Sequence, residues 1–414
     1  MSDTFTSEFF AGNRARLRTL FTGTAPIVLT ANGLLQRGGD TTYPFEQDAS
    51  FWYLTGCDDP DVLLVMDKDK EYLIVPVREA TREAFDGAVD TSALRRRSGI
   101  QAVYDDKEGW RQLSARLKRA KHAATLAAPA EYIEQHGFYT NPARAGLVRR
   151  LKAVNDRLEL LDLTQHVVRM RMIKQAPELI AIQQAIDITM ATLKKVSRPA
   201  QLKRFAYEYE LEAAISQGFR TAGAEGHAFE PIVASGQRAC TLHNVANTGQ
   251  LAAGELIIMD VGAAVSHYAA DLTRTVVLGT PSKRQQAVYD AVLEVQEYAK
   301  SLLLPGVILR DYEQQVEQFM GEKLRALGLI KTIDHDEVRR YYPHATSHFL
   351  GLNVHDSGDY SLPLAADMVL TVEPGIYIPE ESIGVRIEDD VIVTEAGVRA
   401  LSENLPRTLV SPTI

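Results

Sequence analysis

Apolar positions in the first 165 residues come in short runs bounded by turn formers, at 25–30 (APIVLT), 61–66 (DVLLVM) and 71–77 (EYLIVPV), which predicts strands. Elsewhere in this stretch the period lengthens to that of a helix, at 8–20 and 107–118. Such alternation predicts an α/β layer around a central sheet. Residues 43–56 (YPFEQDASFWYLTG) mix aromatic with polar side chains. Core packing is the commoner use of such aromatics, and a surface contact is the alternative.

The texture changes near Val168. After 169–174 (RMRMIK), Pro177 opens a helix whose Leu179, Ile182, Ile186, Met190 and Leu193 share one face. The boundary between an N-terminal domain, 1–168, and a second domain, 169–414, is drawn there. A further helix is expected over 201–218, followed by a glycine-bearing turn at 221–227. Ser282 with Gln285, and Asp311 with Gln314, have capping-box spacing, so a helix should start at each. This order predicts an α+β second domain, with helices on one face of a mainly antiparallel sheet.

Within that domain, carboxylates recur inside apolar strands. Residues 251–277 (LAAGELIIMDVGAAVSHYAADLTRTVV) read as two strands and a short turn, with Asp260 in one strand and Asp271 in the other. An ionised side chain in that setting is costly unless it is paired or holds a metal. A turn centred on 265–266 would set the two aspartates directly opposite, with Cβ atoms about 4.5–5.5 Å apart. At that distance they repel unless a cation or a shared proton lies between them. Turn capping and a surface ion pair are the plainer uses of the two residues.

Downstream, 344–356 (HATSHFLGLNVHD) holds His344, His348 and His355 at spacings of four and seven. A helix would bring them to one side, although Gly351 favours a turn or bend equally. Glu373 in 369–378 (VLTVEPGIYI) and Glu388 in 384–394 (GVRIEDDVIVT) repeat the pattern of a carboxylate in an apolar strand. The loop 379–382 lies midway between them, so a second hairpin would bring these two together. Salt bridges to Arg274 or Arg386 are the alternative for each glutamate alone. Four strand carboxylates with a histidine suit hard or borderline divalent ions such as Mn²⁺.

Composition removes several classes of function. The 414-residue chain is 45% hydrophobic and 24% charged, as in a globular protein. A net charge of −9 argues against nucleic acid or an anionic membrane as the main partner. No run approaches the roughly 18 apolar residues of a membrane span, and the N-terminal residues do not read as a secretory signal. Two cysteines, Cys57 and Cys240, give no disulfide framework, so a cytoplasmic location is expected.

The ordered set Asp260, Asp271, His348, Glu373 and Glu388 resembles the five metal ligands of the pita-bread metallopeptidases. The strings MDVGA, YAADLTRT, SHFLGLNVHD, VLTVEPGIYI and GVRIEDDVIV resemble the branch that contains aminopeptidase P and prolidase. The run YPFEQDASFWYLTG resembles the aminopeptidase P front domain, so the likeness covers nearly the whole chain. One departure is Ala345, where relatives usually carry glycine.

The resemblance implies a creatinase-like α/β domain followed by a pita-bread catalytic domain, with two divalent ions per chain. It implies that Asp260 holds one ion and His348 with Glu373 the other, while Asp271 and Glu388 bridge them. Glu373 would also shuttle a proton. His243 and His355 would stabilise the tetrahedral intermediate and border a proline pocket, with Arg386 nearby. His344, His227 and Tyr377 would line the site. The implied substrates are peptides with proline in the second position, and the implied assembly is a homodimer or homotetramer, with the aromatic stretch 43–53 beside a neighbouring subunit. An Xaa-Pro dipeptidase shares these ligands, and a catalytically inactive pita-bread binding module is the reading from another class. Five convergent ligands argue against the module.

Overall fold

The computed structural model describes residues 4–68, 70–128, 137 and 139–409. They form two compact units that divide between Met170 and Arg171. The strands of the first unit are β1 (Ile27–Thr30), β2 (Leu63–Asp67), β3 (Lys70–Val75), β4 (Val103–Asp105), β5 (His122–Thr125) and β6 (Glu159–Asp162). They make one mixed sheet in the order β4-β3-β2-β1-β5-β6. The β1–β2 and β2–β3 pairs are antiparallel, whereas β3–β4, β1–β5 and β5–β6 are parallel. Parallel neighbours need crossover connections. Helix Ala143–Val154 supplies the one between β5 and β6. Val28, Val65 and Ile74 of the sheet pack with Trp110, Leu113 and Leu151 of the helices in one buried cluster.

The aromatic run resolves as core. Asp48 Oδ1 accepts the Phe51 N–H at 2.9 Å and starts helix Ala49–Thr55, which Gly56 ends in the left-handed region at φ 66°. Phe51, Trp52 and Tyr53 are buried, with Trp52 edge-on to Phe5 and Phe10. They therefore offer no face to a neighbouring subunit, and Tyr43 is the exposed aromatic of the stretch.

The second unit opens with helix Ala176–Val196, near where Pro177 predicts it. The single helix expected over 201–218 is instead two, Pro199–Leu202 and Glu208–Thr221. The Glu210 carboxylate accepts the N–H groups of Ala206 and Tyr207, which fixes a fresh helix start there. Ser282 and Gln285 cap helix Lys283–Leu302 reciprocally. Helix Leu309–Ala326 starts two residues before Asp311, so that aspartate lies in the first turn and is not the cap. A short helix, His335–Tyr341, capped by Asp334, was not expected from the apolar period.

Its strands are β7 (Gly226–His227), β8 (Ile232–Ser235), β9 (Leu256–Val261), β10 (Ala263–Val265), β11 (Tyr268–Ala269) and β12 (Leu272–Val277). Near the C-terminus come β13 (Val369–Val372), β14 (Gly375–Ile378), β15 (Ile383–Arg386), β16 (Asp389–Thr394) and β17 (Gly397–Ala400). The pairings are antiparallel, but the described strands form short ladders rather than one sheet: β11-β10-β7, β12-β9-β8, β13-β16-β17 and β14-β15. The ladders break at Gly262, at 270–271, at 373–374 and at 387–388. Asp271, Glu373 and Glu388 all sit at these breaks. Helix Ala176–Val196 packs on β10 and β11, and helix Lys283–Leu302 on β13, β14 and β15.

Candidate active site

The first carboxylate pair is diagonal. In the β9–β12 ladder Asp260 pairs with Thr273, and Leu272 pairs with Val261. The same register runs on through Ala264 with Ala269 and Val265 with Tyr268. The turn is therefore centred on Ser266–His267, one residue later than expected, and both residues are left-handed, at φ 49° and 66°. That pair of angles marks the tight hairpin turn whose twist suits flanking strands. Continuing the register sets Asp271 against Gly262, so Asp260 and Asp271 are diagonal neighbours on one face rather than directly opposed. Diagonal neighbours remain within reach of side chains. Glycine is required at 262, where a Cβ would lie 1.7 Å from the Ala270 carbonyl oxygen.

The second pair is as the symmetry of its loop predicts. Gly375 pairs with Arg386 in one ladder and Val372 with Asp389 in the next. Glu373 and Glu388 thus face each other across the break. Thr371 Oγ1 donates to Glu373 Oε1 at 3.2 Å, and Thr273 Oγ1 donates to Glu388 Oε2 at 2.7 Å.

His348 arrives from a non-helical segment, 344–356, pinned by a bridge between Phe349 and Leu370. Its Nδ1–H donates to the Phe349 carbonyl at 3.0 Å, which leaves Nε2 facing Glu373 Oε1 at 3.2 Å and Asp271 Oδ2 at 3.5 Å. A backbone bond of this kind orients a ligating histidine. The His355 ring lies edge-on to His348, with centroids 4.3 Å apart. Next to it, Asp356 is buried between Arg171 and Lys174. Gly351 makes room there, because a Cβ would come within 2.2 Å of the Asp356 carboxylate.

Asp260, Asp271, His348 and Glu373 line one cavity of about 600 Å³, and the buried Glu388 clusters with Asp271 and His348. His243, His344, His355 and Arg386 line the cavity too. Arg386 Nη2 donates to Asp260 Oδ2 at 2.6 Å and its Nη1 to the Tyr377 hydroxyl at 2.7 Å. His344 Nε2 lies 2.9 Å from the same hydroxyl. His227 is not brought to the site; it bonds Ser216 Oγ at 2.6 Å and packs on Phe219. Thr273, Thr371 and Asp390 escaped the sequence reading. The two threonines lie two residues from Asp271 and Glu373, on the same face of the chain, and that period of two was the available signal. Asp390 Oδ2 accepts the Asp271 backbone N–H at 3.0 Å, a contact across 119 residues that no local pattern announces.

Residues 180–395 match metallopeptidase family M24, and residues 10–126 match the aminopeptidase P N-terminal domain. The chain belongs to metallopeptidase family M24. Xaa-Pro aminopeptidase 3 of Homo sapiens is 32% identical to it, over 92% of this chain and 79% of that protein. The Xaa-Pro aminopeptidase of Haemophilus influenzae is 32% identical over 97% and 95%. Proline aminopeptidase P II from Yersinia pestis superposes with a TM-score of 0.85 at 28% identity, covering 98% of each chain. The architecture is thus a pita-bread α+β catalytic domain preceded by a creatinase-like α/β domain, and the protein is a metallo-aminopeptidase, a hydrolase. Among the described residues no helix is long and apolar enough to cross a membrane.

An M24 enzyme works with divalent metal, and these side chains fit one. Oδ1 of Asp260, Oδ1 of Asp271 and Oε1 of Glu388 are buried without a hydrogen-bond partner. Buried polar atoms are nearly always bonded, so three bare carboxylate oxygens in one cluster call for a cation. Asp271, His348 and Glu388 offer ligand atoms within 4.8 Å of one another.

The protonation pattern of this M24 site agrees. Burial, with the charge of Asp260 added and a hydrogen bond from His348 opposing, pushes Asp271 up to about 7. Burial and the charges of Asp271, Glu373 and Asp260 hold Glu388 well above the usual carboxylate range. Burial would raise Glu373 as well, but the hydrogen bond and charge of His348 bring it down to about 2. Burial would likewise lower His348, and its bonds to Asp271 and Glu373 outweigh that and hold its proton well above the ordinary imidazole value. Carboxylates that keep protons this tightly are short of positive charge.

Proposed function

We propose that the protein is a dinuclear Xaa-Pro aminopeptidase, releasing an N-terminal residue that precedes proline. Asp260 would hold one divalent ion, His348 and Glu373 would hold the other, and Asp271 and Glu388 would be shared between them. The observation that carries this reading is the convergence of these five side chains with three bare, buried carboxylate oxygens among them. The oxygen-rich donor set suits Mn²⁺. When bound, such a pair of ions acidifies water and polarises the scissile carbonyl.

The protein's own groups supply the rest. Glu373, a carboxylate in the cavity wall, would carry a proton from water to the leaving imino nitrogen. His243 and His355 stand in the cavity wall, where a ring N–H can donate to the developing oxyanion and the ring can border proline. Burial and the charge of His348 lower His355, so its imidazole is neutral at pH 7 and keeps one donor. Asp260, with an ion bound to it, would receive the free amino terminus, and Arg386 fixes the Asp260 carboxylate. The match of residues 10–126 to an aminopeptidase P domain favours this reading over an Xaa-Pro dipeptidase. The two free cysteines suit a reducing cytoplasm, and a homodimer or homotetramer is the assembly we infer.

Metal analysis after reconstitution with Mn²⁺ tests the centre. About two ions per chain are expected, and Asp271→Ala should lose most of the metal and nearly all activity. An Asp271→Ala protein of full activity would overturn the reading.

A further inference from the structure

The cavity wall beside the Asp260–Asp271 strands carries a charge that the proposed chemistry leaves unused. Glu230 lines the cavity and is exposed to solvent. Its position follows from the ladder. Ile232 pairs with Asp260, the Ala228 N–H donates to the Gly262 carbonyl at 2.8 Å, and a Cβ on Gly262 would meet the Phe229 ring at 3.0 Å. Phe229 and Glu230 therefore stand over the strand pair that holds Asp260. Under the reading above, this is the end that takes the substrate's amino terminus, so the side chain of the first residue lies against them.

Among the described residues, no hydrogen bond or ion pair engages the Glu230 carboxylate. The cation of the cavity wall, Arg386, is committed to Asp260 and Tyr377. His227 lies near enough to feel Glu230, but burial holds its imidazole below the ordinary value, so it does not cancel that charge at neutral pH. The same cavity is lined by the apolar side chains of Phe229, Leu242 and Val245 and by Tyr360. A cavity with apolar wall residues and an exposed carboxylate suits a long side chain with a methylene stem and a cationic head. The net charge of −9 adds a field that draws cationic peptides.

We infer that Glu230 is a specificity-determining residue, which makes the enzyme prefer substrates whose first residue is lysine or arginine. The inference rests on the Xaa-Pro reading of the same site, and the test separates the two. Metal-loaded enzyme is assayed with Lys-Pro-Yaa and norleucine-Pro-Yaa peptides, which share the stem and differ in the ammonium group. An ion pair near the surface discriminates by about fivefold in kcat/KM, so the lysine peptide should lead by that factor and the lead should shrink in high salt. In Glu230→Gln the lysine-to-norleucine ratio should fall to about one, and in Glu230→Lys it should invert. Reading a ratio within each variant cancels losses of fold or metal. Cleavage of both peptides by the wild-type protein at equal rates, or a lysine preference that survives in Glu230→Gln, would overturn this inference alone. Cleavage of neither would overturn the Xaa-Pro reading and this inference with it.

Discussion

Arg386 Nη2 donates to Oδ2 of Asp260 at 2.6 Å and leaves Oδ1 of that aspartate bare. The same guanidinium reaches the Tyr377 hydroxyl at 2.7 Å and Thr273 Oγ1 at 3.3 Å, so three bonds fix the guanidinium that holds this carboxylate. Groups that orient a metal ligand in this way typically change metal affinity or activity by about 10–100-fold when removed. Arg386→Ala should therefore weaken metal binding by that factor, read by calorimetric titration of the metal-free protein. Arg386→Lys should restore little, because an ammonium group cannot reproduce the planar fork. Metal affinity unchanged in Arg386→Ala would show that the contact is incidental.

His243 and His355 separate catalysis from metal retention. Neither is needed as a ligand in the proposed centre, and both line the cavity. Each alanine variant should keep near-normal metal content while turnover falls by roughly the hundred- to thousand-fold typical of a lost oxyanion donor. Loss of metal in His355→Ala would mean that the roles assigned to His348 and its edge-on neighbour are confused.

The pH dependence follows from the protons held in the cluster. In the metal-free fold Asp271 stays protonated up to about pH 7, whereas in the unfolded chain it ionises near 4. The folded state then binds more protons than the unfolded state across that window, so the contribution of Asp271 to metal-free stability falls as pH rises from about 4 to about 7. Raised values for Glu388 and His348 act in the same direction. Metal replaces those protons, so its affinity should climb over the same window. The gap in Tm between metal-loaded and metal-free protein should widen up to about pH 7. A gap that is constant between pH 5 and pH 8 would contradict this.

How much of the site could be read from the chain depends on where each register was set. Glu373 and Glu388 are symmetric about 379–382, and the strands on both sides keep that register, so their meeting was legible. The Asp260–Asp271 turn was displaced by one residue. Ser266 and His267 are left-handed without being glycine, and the His267 N–H is taken by Glu225, forty-two residues earlier. Moving the centre of a turn by one residue changes the pairing by two, which keeps both aspartates on one face and turns direct opposition into a diagonal. The face was legible and the contact was not. For His348 no periodicity applied, because its aim comes from one bridge to Leu370 and a bond to the next carbonyl. In the first unit the alternation of strands and helices located the sheet, but its order could not follow from local pattern. The strand read over 71–77 ends instead at Val75, since Pro76 cannot continue a ladder.

The proposed substrate is an N-terminal residue followed by proline, with the chain free to continue. Hydrolysis by the metal-loaded protein of Xaa-Pro-Yaa tripeptides, Xaa-Pro dipeptides and Xaa-Ala-Yaa controls tests it most directly. Tripeptides should be cleaved at least as well as dipeptides, and replacing proline with alanine should remove most of the activity. Dipeptides hydrolysed well while tripeptides resist would contradict it and make the enzyme a dipeptidase.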